Sequence, residues 1–296
     1  VNVNLDPVYG HFDATDDNVY FNTSDNDLDN IWATNGGCAA AWVYPKSVGE
    51  DGYGRIFDKD QWRLTVSNES SGMLKLNFRV ESDGSPTSSE EWLTTTTVVP
   101  INTWSHIAVT WDSDAAGVNP VIYLNGVAQT LTNPTDFNGS YHSSNEAGNH
   151  LYVGNKNGGN VWDGYIMDAK IYKNVAVTAT NVAKMASKIN VDKDAPDMPT
   201  SGLQAWWKFN ASTTADSSGN SPANNLTVGT ALSSPVYDAF SVNAQGTVAT
   251  DGEFTLTQGK LEGLSLSSVD LETGSSQYIE MTDAGLNTIG TGDWTA

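Results

Sequence analysis

This chain of 296 residues has a single cysteine, Cys38, so it cannot form an internal disulfide and its stability must come from packing. The place of Cys38 in an apolar run marks it as a buried thiol. Positive charge is scarce: eleven Lys and three Arg stand against 35 Asp and Glu, for a formal net charge of −21. A nucleic-acid partner is not expected, because binding phosphates takes clustered Lys and Arg. Long apolar runs are missing as well. No stretch nears the roughly 20 residues of a membrane-spanning helix, so no membrane insertion is expected. The four histidines (His11, His106, His142 and His150) form no H-E-x-x-H pattern, and no G-x-S-x-G elbow occurs.

Aromatic residues are plentiful, with ten Trp, eleven Tyr and eight Phe, enough to fill the core of a two-sheet sandwich. In Trp104–Asp112 the side chains alternate: Trp104, His106, Ala108 and Thr110 on one face, Ser105, Ile107, Val109 and Trp111 on the other. That is the period of a strand with one buried face. Ile122-Tyr123-Leu124 follows and ends in Asn125-Gly126, a dipeptide that accepts positive φ at both positions of a tight hairpin turn. These runs predict adjacent antiparallel strands in an all-β domain. Only Thr178 to Asn190 has helical spacing, with Val182, Met185, Ala186 and Ile189 on one side and Thr178 or Thr180 as N-cap.

The Trp104 and Ile122 runs resemble the central hairpin of the concanavalin A-like jelly rolls of the laminin-G-like type, which read W-x-H-[IV]-A-[VL]-T-[WY]-D and then [LV]-Y-[VL]-N-G. Phe12–Phe21, Ala39–Tyr44, Leu151–Asn155 and Trp162–Tyr172 are similar to other strands of that family. Two departures stand out: Ala14 replaces a turn glycine, and Met167-Asp168-Ala169 moves the acidic position by one residue. The resemblance implies an antiparallel β-sandwich jelly roll over residues 1–190, with 191–202 read as an exposed linker. It then restarts. Leu203–Asn210 and Asp216–Asn220 resemble the opening strand and turn, and Ile279 aligns with Val19 at a period of 260 residues. Residues 203–296 are therefore expected to be the N-terminal part of a second roll; the alternative is that these strands complete a sandwich supplied by another chain or by the first roll. The chain is read as a window from a longer protein, cut at both ends.

The resemblance implies one of two roles. The first is a non-catalytic glycan-binding or adhesive module of a multi-domain surface or virion protein, with surface glycans as partners. The alternative is a structural sandwich repeat of a phage fibre, capsid decoration or bacterial appendage, with other copies or subunits as partners. Both place the protein outside cells, on a cell surface or on a virion. No enzyme is expected. Glucanases of the superfamily carry E-x-D-x-x-E, and the nearest approach here, Glu81-Ser82-Asp83, has Pro86 in the third acidic place. Sugar binding needs an aromatic face with polar neighbours. Trp62, Trp92, Tyr141, His142 and Trp162 lie in or beside polar loops and are the candidates, ahead of the strand-internal Trp42, Trp104 and Trp111. The alternative for each is to plug an end of the sandwich. Calcium is the cofactor to expect, through Asp13, Asp16 and Asp17 at one strand start and Asp163 and Asp168 on a closing strand. Turn capping by these Asp side chains is the alternative. Asp25–Asp29 has D-x-D-x-D spacing but Asn30 and Gly36 where a calcium loop needs Gly and Glu, so it is read as a solvated loop.

Overall fold

The computed structural model describes residues 8–14, 19–21, 27–81, 89–115, 118–132, 146, 148–157, 159–209, 214–228, 236–239, 254–255 and 279–280. In chain order the strands begin β1 (Val8–Asp13), β2 (Val19–Phe21), β3 (Gly37–Pro45), β4 (Arg55–Asp58), β5 (Trp62–Ser70) and β6 (Met73–Glu81). Then come β7 (Ser89–Thr94), β8 (Val99–Pro100), β9 (Ser105–Trp111), β10 (Val121–Leu124), β11 (Val127–Ala128) and β12 (Leu131–Thr132). β13 (Leu151–Val153), β14 (Asp163–Lys173), helix α1 (Ala179–Met185), β15 (Leu203–Trp207), β16 (Thr227–Val228) and β17 (Val236–Ala239) follow.

Among the described residues these strands form two antiparallel sheets, as expected for a jelly roll. Sheet one runs β11-β10-β9-β3-β14-β1-β17, with β15 also on β14. Sheet two runs β12-β7-β6-β5-β4-β13-β2-β16, with β8 also on β6. The alternation in the sequence decides which side chains meet between the sheets. Ala39, Ala41 and Val43 of β3, Ile107, Val109 and Trp111 of β9, and Leu74, Leu76, Phe78 and Val80 of β6 all enter one core cluster. Aromatic rings fill its centre. Trp32 meets Trp62 edge-on at 5.1 Å, and Phe78 lies against Trp92 at 6.1 Å.

The predicted turn forms with Asn125 at φ 49° and Gly126 at φ 80° and joins β10 to β11, while β9 and β10 pair antiparallel as expected. Asn125 also ties back to β9, its side-chain oxygen accepting from the His106 N–H at 2.8 Å. The predicted helix is shorter than its spacing suggested. Thr178 caps it in a reciprocal box with Asn181, and it ends at Met185. Val182 and Met185 cover the outer face of sheet one, against Cys38, Ala40, Ala108, Tyr123 and Tyr172.

The expected domain boundary does not hold. β15 pairs with β14, β16 with β2 and β17 with β1, so these three strands complete the two sheets instead of opening a second roll. Segment 191–202 is not a free linker either, because Val191 and Met198 are buried under α1's side of sheet one. The physical reason is an open edge: β1 pairs with β14 only from Asp163 to Ile166, and β15 pairs with it from Ala169 to Tyr172. The adjacent Trp206 and Trp207 face opposite ways, Trp207 into the core and Trp206 outward against β14 residues. The chain divides into the unit Asp6–Ala239 and a second unit from its two ends. In the second unit β18 (Phe254–Thr255) pairs in parallel with β19 (Ile279–Glu280), and the rest lies outside the described residues.

Candidate functional site

The strands that send Trp62, Leu64 and Val66 inward from β5, and Leu76, Phe78 and Val80 inward from β6, turn their alternate residues to the outer face of sheet two. Residues directly opposite in a ladder share a face, and the register lines up one continuous row. It passes from Glu91 to Arg79, Arg63, Asp58, Tyr152 and Tyr20, crossing β7, β6, β5, β4, β13 and β2. At the usual strand spacing that row is roughly 24 Å long.

The three arginines of the chain, Arg55, Arg63 and Arg79, all converge on this face. Arg55 pairs with Asp58 at 3.2 Å, and Glu81 lies 3.1 Å from Arg79 and 3.7 Å from Arg63. Asn77 donates its amide to Glu91. Burial pulls Arg55 down to about 10 despite Asp58, and it lowers Arg63 too, with Arg79 adding to the effect. Burial also raises the Asp58 carboxyl, opposed by Arg55. The floor of the face is buried: Thr65, Ser67 and Asn77 are little exposed, and Ser67 Oγ, Asn77 Oδ1 and Arg79 Nε have no hydrogen-bond partner among the described residues. Such atoms are what bound water or a polar ligand satisfies. Arg63, Arg79 and Glu81 keep solvent-exposed tips above that floor.

At one end of the row Tyr20, His150 and Tyr152 form a half-buried aromatic cluster, with Tyr20 at 4.5 Å from His150 and 5.8 Å from Tyr152. Burial, then Tyr20 and the nearby Asp58 and Asp60, raises the Tyr152 hydroxyl. Asp60 also faces Asn149 and Lys156. Guanidinium donors, carboxylate acceptors and amides thus adjoin half-buried aromatic rings, with Asp58, Glu81 and Glu91 balancing the three arginines. This surface can hydrogen-bond hydroxyl groups while a ring covers an apolar patch.

Those residues expected from sequence that the structure describes lie elsewhere. Trp62, Trp92 and Trp162 are corrected to core positions, at 1%, 2% and 0% exposure, so no ring face is open for stacking. Trp62 on β5 and Trp92 on β7 follow strand alternation inward, and Trp162 joins the same core just before β14, whatever the polarity of their neighbours. Tyr141, His142, Asp16 and Asp17 lie outside the described residues. Asp13 and Asp163 sit opposite each other where β1 and β14 pair. Asp168 does not join them. It occupies a bulge of β14 at φ 53°, where it accepts from Lys170, the Trp206 indole at 2.6 Å and the Asn190 N–H at 2.9 Å. Asp168 is therefore engaged apart from Asp13 and Asp163, and among the described residues no group of three His, Cys, Asp or Glu is placed to hold a metal. The solvated reading of Asp25–Asp29 is also corrected: Leu28 and Asp29 are buried.

Sequence reasoning missed the arginine and tyrosine row. Its trace was present in Arg63-Leu64-Thr65-Val66-Ser67 and Lys75-Leu76-Asn77-Phe78-Arg79, where polar residues alternate with apolar ones, and in a chain whose arginines all fall between positions 55 and 79. A second aromatic surface was missed too. Trp42, Tyr44, Trp104 and Tyr165 lie half-buried on the outer face of sheet one, with Tyr44 at 5.6 Å from Trp104 and Lys46 at 4.4 Å over Tyr165.

A two-sheet jelly roll with a polar, arginine- and tyrosine-lined face defines the class. The chain belongs to the concanavalin A-like lectin/glucanases superfamily, whose family model matches residues 13–183. No curated protein matches it in sequence. Among solved structures it is similar to a putative carbohydrate binding protein from Bacteroides ovatus, at 17% identity and TM-score 0.48 over 78% of this chain. The chain spans 62% of that structure's length. It is also similar to the CBM40 of the Ruminococcus gnavus IT-sialidase bound to alpha2,3 sialyllactose, at 12% identity and TM-score 0.42, covering 61% of this chain and 98% of that one. Tailspike protein 2 of the Escherichia coli O157:H7 bacteriophage CAB120 matches at 13% identity and TM-score 0.41, covering 71% of this chain and 31% of that one.

Proposed function

We propose that this chain is a non-catalytic glycan-binding module, and that the outer face of sheet two is its binding face. The observation that carries the reading is the row Arg79–Arg63–Asp58–Tyr152–Tyr20, continuous through the ladder pairs. Paired charges give it donors and acceptors without a strong net field, which suits the hydroxyl-rich surface of an uncharged sugar. The Tyr152 and Tyr20 rings supply the stacking surface at its end. The module acts on a secreted, cell-surface or virion-borne protein, where displayed glycans are the partners and the acidic surface keeps the fold soluble. No calcium step enters this reading.

The test is a broad glycan array, run with calcium and with chelator, on the full chain and on three variants. Binding is expected for the parent, a loss of about tenfold or more in affinity for Tyr152→Ala and Arg79→Ala, and no change for Tyr44→Ala on sheet one. A blank array in both conditions removes the glycan reading and leaves the structural sandwich repeat in its place. Loss confined to Tyr44→Ala would move the site to the other sheet.

A further inference from the structure

A buried ion pair and a second buried carboxyl within its electrostatic reach occupy a corner apart from the row. Lys59 follows β4 directly and is 2% exposed, yet its Nζ lies 2.6 Å from Asp29 Oδ1. A second contact of the same nitrogen runs to the backbone carbonyl of Asn149 at 3.1 Å. Glu146 is fully buried beside them. One of its oxygens accepts from the Asn30 N–H at 2.6 Å, and the other, Oε1, has no hydrogen-bond partner among the described residues. The flanking residues are core: Leu28, Ile31 and Trp32 on one side, Phe57 and Trp62 on the other.

An amine and a carboxyl held in contact away from water, next to a second carboxyl, are the reactants and the proton carrier of amide condensation. We infer that Lys59 and Asp29 form an intramolecular amide cross-link, with Glu146 carrying protons between them. Lys59 Nζ attacks Asp29 Cγ, a C–N bond forms, and one C–O bond of the carboxyl breaks. The two protons that the ammonium loses leave with that oxygen as water, so atoms and charge balance and no oxidant or energy donor is needed. Burial, opposed by Lys59, raises Glu146 to about 8, which favours the protonated carboxyl, the form that can give a proton to the departing oxygen. The remaining amide N–H keeps the Asn149 carbonyl as its acceptor. Replacing two buried charges by one hydrogen-bonded amide also removes their desolvation cost. The bond would join the loop before β3 to the end of β4, tying sequence positions 29 and 59 covalently in a protein without a disulfide.

The experiment is the intact mass of the purified full chain, followed by tryptic mapping. The expected mass is lower than the sequence mass by one water. Trypsin should leave a branched peptide joining residues 1–46 to residues 56–63, uncut at Lys59, because the chain has no Lys or Arg before Lys46. Lys59→Arg and Glu146→Gln should both return the full sequence mass, and the mild Glu146→Gln change keeps the test available if the lysine variant fails to fold. A folded parent at its full sequence mass overturns the inference. So does a lost water that maps to any other pair, or a cross-link that forms at the parent's rate in Glu146→Gln. None of these outcomes depends on glycan binding.

Discussion

The Trp206 indole N–H donates to Asp168 Oδ1 at 2.6 Å, and the same oxygen receives the buried Lys170 ammonium. Lys170 of β14 lies 4.7 Å from the Trp206 ring, and Lys208 on Trp206's own segment lies 4.0 Å from it, so one strand from late in the chain is clamped onto β14 by a hydrogen bond and one cation–π contact. Burial lowers the Lys170 ammonium, and Asp168 opposes that shift. Removing the carboxylate leaves an unpaired charge in a dry site. Asp168→Ala should cost about 3–5 kcal/mol in a urea unfolding experiment. Trp206→Phe, which keeps a ring but not the N–H, should cost about 1–3 kcal/mol.

The clamp makes residues 203–239 part of the fold, which chain shortening tests. A chain ending at residue 239 should fold and stay monomeric. One ending at residue 202 bares the β14 edge from Ala169 to Tyr172 and loses Trp207 from the core, so it should aggregate or melt far lower. Size-exclusion chromatography and thermal melts would show the difference.

Binding and stability should separate by face. Trp62→Ala, Trp92→Ala and Trp162→Ala each empty a core position and should cost about 3–5 kcal/mol by denaturant titration. Tyr152→Ala, on a half-buried ring, should leave the melting temperature nearly unchanged while it weakens glycan capture.

Acid should destabilise the protein through His106. Burial, reinforced by Lys170, pulls its imidazole from 6.5 down to about 3. Between those values the unfolded chain holds more protons than the folded one, so stability falls as pH drops through that window and is complete above it. The loss is on the order of 4 kcal/mol at the acid end. His106→Gln should flatten this part of a pH–stability profile measured by chemical denaturation. A profile equally steep in the variant would assign the acid limb to other groups.

Much of the fold was legible because strand alternation is local. Trp104–Trp111 reads as a strand from its own residues, Asn125-Gly126 as a turn from its two φ preferences, and Thr178 as a cap from its hydroxyl. The site was less legible. Polarity along the chain put Trp62, Trp92 and Trp162 near solvent, whereas the face each occupies depends on the sheet packed against it.

By itself, then, the sequence determined the class: antiparallel strands, one buried thiol and a large excess of acidic over basic residues. Only the tertiary structure decided three things. It set which strand fills the open half of β14, since Leu203–Trp207 pairs with any edge that offers matching hydrogen bonds and a partner for its indole. It aligned Arg79, Arg63, Asp58, Tyr152 and Tyr20, residues from five strands whose order in space is not their order in the chain. And it brought Lys59 to Asp29 and Glu146, because contacts between distant residues follow from how the sheets pack and not from any local pattern.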